Sequence, residues 1–417
     1  MKTTTLSNLD FSSLLKADDV IGWPQGPGEP LTLTEVLKFQ ARELPAPTLL
    51  FGLTHSQTLT PDMDGTFRFY ALNGAGTSRR VTATAEIFPC HVSQLPGFFR
   101  SGQLRLDVLL IQVRPIGNGN YSLGVICDFT QAMIERARIV IALLNVALPV
   151  TGGDTVVDAR HIDILVDGDD RIIDMPDPQP SDVENRIARR VASLIPDRAT
   201  VQLGIGTLPV AVAQALAGHR GLGVHSGVVS DVLVDLVEQG VVTNAHKGRD
   251  TGLTVTGGLF GTGRLRDFAA SSGAIAMRNA EYTHQIAVTS SLSAFHTINS
   301  AIEIDLTGQV NAEMAGSRYL GAVGGQVDFV RAGTASPGGR SIIALPSATP
   351  DGKHSRIVAT LDGRPVTTAR SDIDVVVTEY GMAELRGCSL RERGRRLLAI
   401  THPDHREELE RKMHDGR

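Results

Sequence analysis

Between Ala199 and Ser226 the chain reads ATVQLGIGTLPVAVAQALAGHRGLGVHS, and the next residue is Gly227. An apolar run of strand length, Thr200–Gly204, enters a glycine turn. A helical pattern follows over Pro209–Ala217, and a second apolar run, Leu222–Ser226, stops at a polar step. This order predicts a strand–turn–helix–strand unit. Such units place the turn at the carboxyl end of a strand, where α/β proteins hold thioesters and phosphates.

The rest of the chain has the same alternation. Strand-like runs fall at Thr48–Leu53, Leu106–Val113, Tyr121–Ile126 and Ile139–Leu144, with a helical stretch at Thr130–Ala137. Further strands are expected at Ser341–Ser347, Ser355–Leu361 and Ile373–Thr378. Helices are expected at Ser230–Gln239 and Ser389–Ile400, with a charged tail after the latter. The proline-dense stretch DMPDPQPS, Asp174–Ser181, reads as a linker. Ser181 and Glu184 then form a capping-box pattern, and Val183, Ile187, Val191, Leu194 and Ile195 share one helical face. The fold class is α/β: two open α/β domains with mostly parallel sheets, residues 1–178 and 179–417.

At 417 residues the length suits two domains. A net charge of −5 gives no basic field for nucleic acid, and 5% aromatic residues give no base-stacking surface. Cys90, Cys127 and Cys388 are scattered, without a C-x-x-C pair, so neither a disulfide framework nor a metal site is expected. No apolar run has the length of a signal peptide or a membrane span, so the expectation is a cytoplasmic protein without a membrane partner.

Two glycine loops carry the first chemical signals. Gly204, Ile205, Gly206, Thr207 and Leu208 turn the backbone tightly and expose N–H groups at a helix start. A dinucleotide fingerprint would need a third glycine where Pro209 stands, and an acidic residue near the end of the second strand. In GAVGGQVDF, Gly321–Phe329, the N–H groups of Gly324 and Gly325 suit an amide or a developing oxyanion. The plainer reading of either loop is an ordinary turn.

Longer blocks add to these loops: GWPQGPGEP near Gly22, DVLLIQVRPIGNGNYSLG, INSAIEIDLTGQVNAE, SPGGRSIIALPSA, VVVTEYGMAELRG and ITHPDHREEL. In this order they resemble the acetyl-CoA hydrolase/transferase family of class I CoA-transferases over nearly the whole chain. The resemblance implies two α/β domains with an active site between them, an acyl-CoA substrate, an acceptor, no metal and a homodimer. It also implies that acyl-CoA meets Gly204, Ile205, Gly206, Thr207 and Leu208, then Gly321, Gly324 and Gly325, with Arg340 as the cation for a CoA phosphate.

In the family a catalytic glutamate follows the His-Ser of the second strand. Here Gly227 holds that place. His284 falls near a family asparagine, Ala322 replaces a loop glycine, and Leu143 stands where relatives often carry glutamate. Asn145, Gly324, Gly325, Gln326, Asp328, Glu379 and Gly381 match the pattern. Glycine cannot form the glutamyl-CoA thioester through which the family exchanges CoA. Substitute groups to weigh are Glu303, more simply a structural acid, and Ser226 with His284 as its base. Cys388 reads as a buried inert thiol, and the His402/His405 pair as helix capping rather than metal ligation. The expectation is therefore an acyl-CoA enzyme acting by hydrolysis or direct acyl transfer. A conventional transferase using Glu303 and a non-catalytic acyl-CoA binder remain alternatives.

Overall fold

The computed structural model describes residues 1–168 and 171–415. Two compact units divide the chain. One holds residues 1–176, 255–283 and 318–324; the other holds 177–254, 284–317 and the residues from 325 onward. The units are thus not the two continuous halves expected. Two excursions from the second half of the chain complete the first unit.

The first unit is built on a ten-stranded sheet. Its parallel strands run in the order Lys2–Thr5, Ile164–Asp167, Ile139–Leu144, Val108–Gly117, Val20–Gly22, Thr48–Phe51, Arg68–Ala71 and Glu86–Ile87. Side chains alternate across a strand. Val108, Leu110, Ile141 and Leu143 accordingly enter one apolar core, while Leu109, Ile111, Val113, Val140 and Ala142 enter a second. Cores on both faces explain why these strands read as unbroken apolar runs. The run at Tyr121–Ile126 yields only the short strand Asn120–Ser122, paired antiparallel to Val108–Gly117.

The second unit carries a six-stranded sheet in the order Gly223–Val224, Thr200–Gln202, Phe295–Ser300, Arg340–Ala344, Val375–Thr378 and Gly381–Glu384. All its neighbouring pairs are parallel except the last. The linker expected at Asp174–Ser181 has no regular structure, and helix Asp182–Ala192 starts on the capping box read from Ser181 and Glu184.

Two expectations for this unit need correction. Of Ser355–Leu361, only Ile357–Val358 is strand, and it joins a separate small sheet beside Glu303–Asp305. The charged tail is a helix, Pro403–Asp415. Proline opens it, strong helix formers follow, and Glu408 meets Lys412 one turn on at 2.7 Å. Its charge masked its regularity. Among the described residues no helix is long and apolar enough to cross a membrane.

Candidate active site

The parallel register fixes which residues share an edge of the second unit's sheet. Phe295–Ser300 pairs with Arg340–Ala344 so that His296 faces Arg340 and Ser300 faces Ala344. The Gly204–Leu208 turn, Ser300, Ala344 and Glu379 therefore lie at the carboxyl edge. A cavity of about 760 Å³ opens there, lined by Ile205, Gly206, Thr207 and Leu208 together with Arg186, Arg356, Glu379 and His402.

The turn is held from below. Gly206 has φ +109°, a conformation that suits glycine, and caps helix Thr207–Ala215. Thr207 donates its hydroxyl to Glu184. The other carboxylate oxygen of Glu184 accepts from both N and Oγ of Ser181, each at 2.8 Å. Burial pushes the Glu184 carboxyl up, but the bonds from Thr207 and Ser181 outweigh it and leave its pKa lowered. One side chain thus ties the cap of one helix to the start of the next.

Across the cavity, Glu379 is buried and accepts from Ser347 Oγ at 2.7 Å and Ser347 N at 2.9 Å. Burial pulls the Arg356 guanidinium below its usual pKa, against Glu303, Glu184 and Glu379, which pull it upward. A half-buried cation facing a cavity of this size suits a phosphate or carboxylate. Sequence reading missed Arg356 because it sits in a run taken for a strand. The signal was a lone arginine inside the apolar stretch SRIVATL.

Gly227 lies one residue past a buried serine whose hydroxyl donates to Leu203 O at 2.6 Å. The proton of Ser226 is thus committed to a backbone carbonyl. His225 is fully buried against the edge of Phe295. His284 is buried beside Gly227 and Gly325, its ring packed on Phe329. Burial pulls its pKa down to about 3, so the imidazole is neutral at physiological pH and a weak base. The structure brings Gly227, His284 and Gly325 together; it gives Ser226 no activated proton.

The remaining candidates separate. Glu303 receives Arg364 Nη1 at 2.6 Å and lines a different cavity, of about 670 Å³, with Lys353, His354 and His405. Arg340 stands at the amino edge of the sheet, opposite the Gly204–Leu208 turn. Asp374 binds it at 3.2 Å and Glu384 at 2.9 Å. The cations that line the cavity at the turn are Arg186 and Arg356. Gly321 and Gly324 belong to the first unit, where their carbonyls accept from Gly74 N at 2.8 Å and Val92 N at 3.0 Å. Gly325 caps helix Gln326–Ala335 of the second unit.

Leu143 is a core residue, 1% exposed. Cys388 is half-buried rather than buried. His402 meets the Tyr380 ring edge-on at 5.3 Å, and His405 Nε2 lies 2.9 Å from Gly352 O.

A cleft at the carboxyl edge of a parallel sheet, lined by a glycine turn and a half-buried arginine, is where α/β proteins commonly hold an anionic ligand. The particular class comes from comparison. Residues 7–175 match the acetyl-CoA hydrolase/transferase N-terminal domain and residues 261–413 its C-terminal domain. The chain is 40% identical to 4-hydroxybutyrate coenzyme A transferase of Clostridium kluyveri, over 82% of this chain and 81% of the other. Among solved structures, RipA from Yersinia pestis superposes with a TM-score of 0.91 at 30% identity, covering 100% of this chain and 97% of that one. A 4-hydroxybutyrate CoA-transferase from Porphyromonas gingivalis superposes at 0.83 with 31% identity, covering 100% and 98%. The chain belongs to the acetyl-CoA hydrolase/transferase family, whose enzymes act on acyl-CoA.

Proposed function

We propose that this family member cleaves or transfers the acyl group of an acyl-CoA without a glutamyl-CoA intermediate. The observation that carries the reading is position 227. It is glycine, and His284 occupies the space beside it. In the hydrolytic form water adds to the thioester carbonyl, the C–S bond breaks, and the acid and CoA thiol leave. In the transfer form an acceptor hydroxyl or amine takes the place of water.

The N–H groups at the start of the ten-residue helix Gln326–Ala335 support the reading, because Gly325 gives the helix no side-chain cap and a helix start directs its N–H groups outward. Such a donor aimed at an oxyanion contributes ~3 kcal/mol. Arg356 is the cation we assign to the CoA end or to an acyl carboxylate. We read Glu303 as structural because Arg364 holds it in another cavity. The homodimer implied by the resemblance and the cytoplasmic location expected from the sequence belong to the same proposal.

Free thiol released from a panel of acyl-CoAs, with and without acetate, tests it. Release independent of acetate is expected. Release that requires a carboxylate acceptor would restore conventional exchange. Tight binding with no release would make the chain a non-catalytic binder.

A further inference from the structure

The volume beside Gly227 is filled. A Cβ on this residue would stand 2.7 Å from Cε1 and 2.9 Å from Nε2 of His284. A Cβ on Gly325 would stand 2.5 Å from Nε2 and 2.6 Å from Cδ2 of the same ring. Carbon atoms prefer separations of roughly 3.5–4.0 Å. The Nε2 tip is therefore wedged between two α-carbons that must both lack side chains. Backbone conformation does not impose glycine at 227, which is absent from the positive-φ glycines.

The ring has little room to withdraw. Phe329 covers it, with centroids 4.6 Å apart, and Phe295 stands behind Phe329 at 6.3 Å. Leu292 and Ala332 complete that buried cluster. Close-packed interiors resist added volume, so an imidazole at 284 and a side chain at 227 exclude one another.

We propose that His284 is the specificity-determining residue of this site: its imidazole holds the volume that a nucleophilic side chain at 227 would need, so the two positions change only together. The role in the reaction rests on the function proposed above; the steric coupling rests on geometry alone.

A double-mutant cycle tests the coupling without any substrate. Gly227→Ala should lower the melting temperature when His284 is present. It should cost much less in the His284→Ala background. Equal losses in the two backgrounds would overturn the proposal.

A second pair reads the chemistry. Each protein is incubated with acyl-CoA and labelled acetate, quenched, and analysed for CoA bound to residue 227. Gly227→Glu alone should form little adduct. Gly227→Glu combined with His284→Ala should form the adduct and exchange label at least about tenfold faster, a barrier difference of about 1.4 kcal/mol. Adduct at equal levels in both would overturn the proposal, because His284 would then exclude nothing. Absence of adduct from the folded double variant would remove the specificity role. Failure of the underlying functional reading shows separately, as enzymatic label exchange by the unmodified chain.

Discussion

The His284 imidazole lies on the Phe329 ring with centroids 4.6 Å apart and planes tilted by 46°. This apolar seat, rather than a charged neighbour, sets the ionisation of His284, since burial is the whole cause of its lowered pKa. The folded value is about 3 against an ordinary 6.5. Between these limits the unfolded chain binds more protons than the folded one, so stability rises with pH. The contribution is present above pH 6.5 and is lost as pH falls towards 3.

Thioester cleavage should therefore show no inflection near pH 6.5 from His284, because the ring stays neutral. Stability measured from pH 7 down to pH 4 should fall more steeply for the natural chain than for His284→Asn. A rate profile that loses activity near 6.5, and loses that inflection in His284→Asn, would mean the imidazole titrates and acts as a base.

Arg356 and Arg340 make opposite predictions. Arg356→Gln should weaken acyl-CoA binding by roughly ten- to a hundredfold, since a hydrogen bond to a charged group is worth about 1.5–3 kcal/mol. Calorimetric titration would read this, and the loss should shrink at high salt. Arg340→Gln should leave affinity near that of the natural chain and lower stability instead, by stranding the buried carboxylate of Asp374. The reverse order would place the phosphate at the amino edge of the sheet.

Glu184 joins two helix starts through Ser181 and Thr207. Replacing it with alanine should cost about 1 kcal/mol of stability, the usual value of a helix cap. It should also weaken acyl-CoA binding by loosening the Gly206 turn. Ser181→Ala should cost similar stability and less affinity, because Thr207 keeps its acceptor. Equal affinity losses would show that the turn does not depend on Glu184.

Glu303→Gln separates a structural acid from a substitute nucleophile. The change breaks the pairing with Arg364, and the stability of the second unit should fall. Thioester cleavage by the folded variant should stay within a few fold of the natural rate. A loss of about a hundredfold or more would give Glu303 a catalytic role.

The apolar run Ile139–Leu144 and the capping box at Ser181 were legible because each depends on local periodicity or a local hydrogen bond. The last helix was hidden because its exposed, charged residues give no apolar stripe, only helix propensity. Arg340 was misplaced because a motif does not say which end of a strand faces the ligand; the parallel register does. Arg356 was missed because only folding brings Arg356, Glu184 and Glu379 around one cavity. The glycine at 227 was plain in the sequence. That His284 packs beside it was not, since the two residues are far apart in the chain and meet only in three dimensions.

The most direct test of the central claim is the mass of the protein during turnover. The natural chain is mixed with excess acyl-CoA, quenched within a single turnover, treated with borohydride, and mapped by peptide mass spectrometry. Release of CoA thiol with every carboxylate unmodified is the predicted result. CoA, or its reduction product, on Glu303 or any other carboxylate would contradict the account.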